Sequence, residues 1–309
     1  MRTVFWGNGT RGLSCLEVLV QAGATVILVV AHPGKGSVGG FARKKGIPCL
    51  VPEDPNSQEF LGSLRSFQAD VFVLAGYGKI LKEAVLKLPR LMAVNLHGGK
   101  LPERRGSSPL NWALLAGDKK FTLSIIKLDS GIDTGDILIE KTFPIRPSDT
   151  IRELHTLSDR EFPKMLLKLM AQIKKRTYTL TKQNKRRVAY YPLRFADDGV
   201  IIWDMLTAVE VHDHIRALAD PYAATTVFQG KIVKLRGSKL CETDHFGAPG
   251  RIYKKKDGQL LVCAKDKCLW ITDAVFAGSN RPLHAAAKVY DELITVRKSI
   301  VRLMTGRSK

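Results

Sequence analysis

The stretch ADVFVLAGYG (residues 69–78) has a continuous apolar centre that ends in glycines. A strand that is apolar on both faces is typical of a parallel sheet with helices above and below. Similar strands recur along the chain, and the segments between them have helical spacing. They are TVFWG (3–7), TVILVVA (25–31) and LMAVNLH (91–97). The amino-terminal part is therefore predicted to be α/β, with a Rossmann-like, mostly parallel sheet.

The pattern changes beyond Trp203, where short alternating strands are separated by glycine turns. The segment KKDGQ (255–259) contains the Asp-Gly pair that tight hairpins prefer. These features predict a smaller carboxy-terminal OB-like β-barrel of about five strands, followed by a terminal helix over 282–304. The predicted domains are 1–180 and 204–309, with a basic linker of low periodicity at 181–203.

The composition is that of an ordinary globular protein, but the formal net charge of the 309 residues is +20. This charge favours polyanionic partners, although a solvated basic surface would have the same composition. The five scattered cysteines form no C-x-x-C pair, so neither a zinc site nor a disulfide framework is predicted. With no signal peptide and no membrane-spanning run recognised, the expected location is the cytoplasm.

The segment GNGTRG (7–12) matches G-x-G-x-x-G after a predicted strand. A dinucleotide site also requires an acidic residue at the end of the second strand. That strand ends in VVAHPGKG (29–36), which contains no acid. The glycines are therefore better explained by a tight first turn close to the sheet.

The segment VNLHGGKLPERRGSSPLNW (94–112) places Asn95 and His97 two residues apart near the end of a strand. Both side chains then share one face of that strand. The carboxyl ends of parallel strands line the crevice where such sheets bind ligands. An amide can donate to an oxyanion, and an imidazole can transfer protons near neutral pH. Taken alone, His97 is more simply explained as a strand-end histidine bonded to loop backbone.

A second polar segment, KLDSGIDTGD (127–136), holds three aspartates among glycines after another strand. Such aspartates usually cap backbone amides in their own turn. One of them could instead reach His97 and raise its pKa. Spacing alone does not say whether Asp129, Asp133 or Asp136 does so.

The order N-x-H, L-P-x-x-R-G-x-x-P and G-x-D-T-G-D over residues 95–136 resembles the 10-formyltetrahydrofolate-dependent formyltransferase family. The family includes methionyl-tRNA formyltransferases and nucleotide-amino-sugar N-formyltransferases. The resemblance implies an enzyme that uses 10-formyltetrahydrofolate as co-substrate and needs no metal. It implies that Asn95, His97 and Asp133 form the catalytic triad. The implied folate contacts are Lys79, Ile80, Leu81, Asp129, Ser130 and Gly131.

In the implied mechanism, an acceptor amine attacks the formyl carbon. Asn95 and protonated His97 stabilise the oxyanion, His97 shuttles the proton towards the folate nitrogen, and Asp133 holds His97 in place. The chain departs from the common family pattern H-x-S-L-L-P, because Gly99 and Lys100 replace a serine and a leucine. Ile202 also stands where the family often has an acid.

Two acceptors compete. The tRNA enzymes of the family carry an extended basic insertion after the second strand, whereas the segment here (32–46) is short. PLNW (109–112) also resembles the aminoarabinose-modifying enzyme, so a nucleotide-linked amino sugar is favoured. Initiator tRNA is the alternative, because basic residues cover the predicted barrel. These are Lys231, Lys234, Arg236, Lys239, Lys254, Lys255, Lys256, Lys265 and Lys267.

Three further residues are candidate acceptor contacts. Arg104 and Arg105 lie beside the triad loop and suit phosphate oxygens. Trp112 could stack on a base or sugar, although a helical tryptophan is more often part of the core. A folate- or RNA-binding module without activity is a further alternative, and the complete triad speaks against it.

Overall fold

The computed structural model describes residues 1–32, 37–218, 222–296, 299–300 and 304, and only the backbone of Ala196. The chain divides into two compact units. The first comprises Met1–Pro109, Lys120–Pro144 and His155–Pro192, and the second comprises Leu110–Lys119, Ile145–Leu154 and the residues from Leu193 onward. The sequence-predicted linker is thus divided at Pro192 between the two units. The domain boundaries drawn from the sequence stay predictions.

Strands alternate with helices over the first 97 residues, and the order is less regular from there to residue 192. The strands are β1 (Arg2–Gly7), β2 (Thr25–Ala31), β3 (Cys49–Leu50), β4 (Val71–Ala75), β5 (Met92–His97), β6 (Arg105–Gly106), β7 (Lys120–Lys127), β8 (Ile137–Pro144) and β9 (Tyr190–Tyr191). The helices are α1 (Gly9–Gln21), α2 (Ser37–Lys44), α3 (Gln58–Ser66), α4 (Glu83–Leu86), α5 (Pro109–Leu115) and α6 (Ile151–Lys175).

The first unit is built on a seven-stranded sheet of order β3-β2-β1-β4-β5-β7-β8. The pairs among β1 to β5 are parallel, and β7 and β8 join antiparallel. The central strands β1 and β4 are buried almost throughout, as their apolar runs predict. At the β1–α1 turn, a Cβ on Gly12 would lie 2.9 Å from the Ala75 carbonyl oxygen, so this glycine permits close packing.

The second unit contains a five-stranded antiparallel sheet of order β10-β11-β14-β13-β12. Its elements are α7 (Ala208–Ala217), β10 (Ala224–Phe228), β11 (Lys231–Leu240), β12 (Ile252–Lys256), β13 (Gln259–Cys263), β14 (Cys268–Phe276) and α8 (Leu283–Ala286). Trp203 is fully buried in the core of this unit, and its Nε1 donates to Thr226 Oγ1 at 3.0 Å. The predicted fold class, α/β with a smaller β domain, is confirmed.

The predicted terminal helix is wrong over residues 287–295. Helix α8 ends at Ala286, and the following chain forms single bridges to Phe228 through Leu293 and to Arg251 through Glu292. These bridges connect the β10 edge with the chain entering β12, because unpaired strand edges favour a strand partner over a helix. Residues 297–298, 301–303 and 305–309 of the carboxyl terminus lie outside the described residues.

A further correction concerns the cysteines. Cys263 and Cys268 stand directly opposite each other on β13 and β14 and are paired as a disulfide. The sequence spacing gave no sign of this pair, because only the hairpin register brings the two positions together. Within the described residues, no helix is both long and apolar enough to cross a membrane.

Candidate active site

Asn95 and His97 lie at the carboxyl end of β5, as the sequence predicts. Asn95 pairs in register with Leu74 of β4 and Ile126 of β7, and His97 pairs with Ser124 of β7. The two residues are separated by one position and therefore project to the same side of the sheet. The His97 side chain is only 5% exposed.

The His97 ring contacts two loops at once. Its Nε2 lies 2.6 Å from the carbonyl oxygen of Arg104, which can only accept, so Nε2 carries the proton. Its Nδ1 lies 3.5 Å from Asp133 Oδ2, and this carboxylate oxygen accepts from the Gly106 amide at 2.9 Å. Of the three aspartates in the 127–136 loop, Asp133 is therefore the one beside His97.

The pKa of His97 is lowered from its ordinary value, and burial of the imidazole is the largest cause. The Asp133 carboxylate and the Arg104 carbonyl act in the opposite direction, and the Arg11 charge lowers the pKa further. Burial therefore favours the neutral form of the imidazole relative to an exposed histidine. The sequence does not reveal this burial, and the protonated His97 of the implied mechanism stays a prediction.

The Asp133 loop depends on two tight backbone positions. Asp133 itself has φ +53°, in the left-handed region that non-glycine residues rarely occupy. A Cβ at Gly135 would lie 1.7 Å from the Lys127 carbonyl oxygen. The loop thus folds back onto the end of β7 at a distance that only glycine permits.

Asp129 lies at the exposed end of the same loop. Its Oδ1 accepts from the Gly131 amide at 3.1 Å and from the Thr134 hydroxyl. Asp129 therefore caps its own turn, and the Gly131 amide is bonded within the loop. Ser130 and Gly131 are exposed.

The segment Lys79–Leu81 lies in a second loop of the first unit. Lys79 Nζ donates to the carbonyls of Pro52 and Glu53, and the Ile80 carbonyl accepts from Asn56 Nδ2 at 3.0 Å. The Leu81 side chain belongs to the core, whereas the Ile80 side chain is 67% exposed.

The three candidate acceptor contacts have different surroundings. Arg105 is 7% exposed and donates to the side chains of Gln183 and Tyr190. The Arg104 guanidinium lies 4.7 Å from the ring centre of Tyr191. Trp112 is half-buried in the second unit, with the Arg194 guanidinium 4.9 Å from its ring centre.

Two residues near the site were not found from the sequence. Gln183, in the predicted linker, contacts the Asp133 loop directly. Arg11, inside GNGTRG, lies close enough for its charge to act on His97. A cation within that glycine motif was the available signal for Arg11, whereas nothing local distinguishes Gln183 from its polar neighbours. Within the described residues, no group of three or more potential ligands could hold a metal ion.

Gly99 explains how the Arg104 carbonyl reaches His97. A Cβ at position 99 would lie 2.7 Å from that carbonyl oxygen and 2.8 Å from His97 Nε2. A serine at this position, as in the common family pattern, must move one of the two groups.

We expect Gly99→Ser to lower the pKa of His97 further, because the Arg104 carbonyl is one of the two groups that raise it. An NMR titration of the His97 ring measures this pKa. Gly40→Ser on α2 is the control, because a Cβ at Gly40 meets nothing within 4 Å. A His97 pKa that rises or stays constant in Gly99→Ser would contradict the expectation.

Sequence comparison identifies the family. The family described as "Formyl transferase" matches residues 1–169, and "Formyl transferase, C-terminal domain" matches residues 195–287. The chain belongs to the formyltransferase family. This confirms the resemblance, and with it the prediction of an enzyme of the 10-formyltetrahydrofolate-dependent class.

Individual relatives differ in their acceptors. The chain is 32% identical to the methionyl-tRNA formyltransferases of Caldanaerobacter subterraneus subsp. tengcongensis and of Acetivibrio thermocellus. Each alignment covers 91% of this chain and 94% of the relative. Among solved structures, the sugar 3N-formyltransferase WlaRD superimposes with a TM-score of 0.70 at 18% identity, covering 90% of this chain and 98% of WlaRD.

A second solved structure has the same fold. It is the N-formyltransferase from Helicobacter canadensis in complex with folinic acid and dTDP-3-aminofucose. Its TM-score is 0.70 at 19% identity, and the superposition covers 87% of this chain and 97% of that one.

Proposed function

We propose that the chain transfers the formyl group of 10-formyltetrahydrofolate to a primary amine, with Asn95, His97 and Asp133 as the catalytic residues. The observation that carries the proposal is the arrangement at the end of β5. There, a buried imidazole lies 3.5 Å from an aspartate and two positions from an amide. The family match supports the reaction class.

The two loops proposed for the folate suit a flat, partly apolar ligand. Each carries an exposed apolar side chain, Ile80 at 67% and Ile132 at 49%. Both side chains are accessible and would offer apolar contacts to the folate ring. The co-substrate supplies an activated formyl group, and the protein supplies binding and proton transfer.

Each member of the triad then has a role that its surroundings allow. The Asn95 amide donates to the formyl oxygen, where negative charge develops as the amine attacks. His97 accepts a proton from the attacking amine and gives it to the folate nitrogen as the bond between that nitrogen and the formyl carbon breaks, which releases tetrahydrofolate. Asp133 favours the cationic form of His97, and the Gly106 amide holds the aspartate in position. The Arg104 guanidinium is the proposed contact for an acceptor phosphate.

For the acceptor, we propose an amino sugar linked to a nucleotide. The supporting observation is the short connection between β2 and α2, where only five residues separate Ala31 from Ser37. Residues 33–36, with Lys35, lie outside the described residues. An extended basic insertion at this place is the feature that the resemblance associates with tRNA enzymes.

The second candidate acceptor is methionyl initiator tRNA. It is favoured by the 32% identity to methionyl-tRNA formyltransferases over nearly the whole chain. The net charge of +20 and the exposed turn Lys185–Arg187 are also suited to a long polyanion.

A parallel assay distinguishes the two acceptors. We expect formyl transfer from 10-formyltetrahydrofolate to a nucleotide-linked 3-amino or 4-amino sugar, with modest dependence on salt because few phosphates are contacted. Turnover on charged initiator tRNA that falls steeply between low and moderate salt, with none on the sugars, would replace the sugar by tRNA. Absence of transfer to both acceptors would contradict the proposed reaction.

A further inference from the structure

The predicted linker contains a side chain that joins the two loops of the candidate site. Gln183 Nε2 donates to the carbonyl oxygens of Asp133 at 2.8 Å and Gly135 at 2.7 Å. Gln183 Oε1 accepts from Arg105 Nε at 3.0 Å and from Arg105 Nη2 at 2.7 Å. One amide group thus uses both N–H donors and its oxygen at the same time.

The three partners of Gln183 lie in two different segments. Asp133 and Gly135 lie in the loop that carries the aspartate beside His97. Arg105 precedes Gly106, whose amide donates to Asp133 Oδ2. Gln183 therefore holds the backbone of the loop at Asp133 and Gly135, while the Gly106 amide holds the Asp133 carboxylate.

The surrounding segment holds Gln183 in place. Thr181 exchanges two backbone hydrogen bonds with Ile137, at 2.8 and 2.9 Å. Further along, β9 pairs in parallel with β6, and the Tyr190 hydroxyl accepts from Arg105 Nη1 at 2.9 Å. Residues 181–191 are thus attached on both sides of Gln183 to the loops that form the site.

We propose that Gln183, held by Arg105, is a positioning residue that sets the distance between Asp133 and His97. Asp133 occupies a left-handed backbone conformation, which costs free energy and persists only when its surroundings stabilise it. The two hydrogen bonds from Gln183 hold the loop at the carbonyl groups of Asp133 and Gly135. Arg105 thereby acts through Gln183, and its donors are used inside the protein instead of on an acceptor phosphate.

Two substitutions distinguish the hydrogen bonds that Gln183 accepts from Arg105 from those that it donates to the Asp133 loop. Gln183→Glu keeps an acceptor for Arg105 but loses both donors to the Asp133 loop. Gln183→Met has a similar length and loses both sets of hydrogen bonds. Gln58→Glu, at an exposed position of α3, is the control for the added charge.

We expect both Gln183 variants to lower kcat by roughly 10-fold to 100-fold, with KM for the acceptor changed little, because misplacement of one supporting group has effects of this size. We also expect the His97 pKa, measured by NMR titration, to fall in Gln183→Met, since Asp133 no longer holds its place beside the ring. The control should retain the wild-type kcat and pKa.

A folded Gln183→Met with unchanged kcat and unchanged His97 pKa would overturn the proposal. If Gln183→Met does not fold, Gln183→Glu decides by kcat alone, because it retains a partner for the buried Arg105. The kinetic expectation depends on the proposed function. The His97 titration does not, so an inactive wild-type protein would refute the reaction while the titration still tests the positioning role.

Discussion

Replacement of His97 by alanine is expected to lower kcat by roughly 10²-fold to 10⁴-fold, the range typical of a lost general acid–base residue. The imidazole is buried between the Arg104 carbonyl and the Asp133 carboxylate, and its loss removes the proposed proton acceptor from that position. Folate affinity should change little, because the proposed folate contacts lie in other segments. Single-turnover kinetics and folate binding by fluorescence quenching measure the two effects separately.

His97→Gln adds a test of the same role. Its side-chain amide can still donate to the Arg104 carbonyl, but it cannot take up a proton near neutral pH. We expect it to be as inactive as His97→Ala while being more stable. His245→Ala, in the second unit, is the control and should retain full turnover. Equal turnover in wild type and His97→Gln would rule out proton transfer by this residue.

Among changes that leave every functional side chain in place, Gly135→Ala is expected to have the largest effect on stability and on formyl transfer. The added Cβ would lie 1.7 Å from the Lys127 carbonyl oxygen and 2.8 Å from its carbon, so backbone must move. Overpacking of this kind lowers the free energy of unfolding by roughly 1–3 kcal/mol. Because Asp133 lies two residues away and Gln183 holds the Gly135 carbonyl, the shift should also reduce formyl transfer.

A matched glycine on a helix provides the control for Gly135→Ala. Gly62 lies on α3, and a Cβ there would meet nothing within 4 Å. Gly62→Ala should raise the free energy of unfolding by about 0.5–1 kcal/mol, because alanine loses less backbone freedom in a helix. Chemical denaturation of both variants measures the contrast. A Gly135→Ala protein as stable and as active as wild type would show that the loop is not fixed in this conformation.

The hydrophobic pattern within a segment was sufficient to predict the main strands of the first unit. The apolar runs at β1, β2 and β4 identified a mostly parallel sheet, because a strand buried on both faces leaves no polar alternation. Asn95 and His97 were placed on one face of β5 because side chains two residues apart in a strand point to the same side.

The sequence pattern gave wrong or no predictions where a segment's structure depends on pairing with another segment. Residues 287–295 have helical spacing, yet they form bridges to Phe228 and Arg251 because open sheet edges offer backbone hydrogen bonds. The disulfide of Cys263 and Cys268 depends on the register of β13 against β14. Neither pairing is encoded within the segment itself.

The sequence by itself determined the fold class, the family and the position of Asn95 and His97 in the candidate site. The tertiary structure decided which aspartate lies beside His97, that burial lowers the pKa of this imidazole, and that Gln183 joins the two loops. Burial changes the pKa of His97, and hydrogen bonds between residues 50 positions apart orient Asp133. Both effects depend on distances that exist only after the chain has folded.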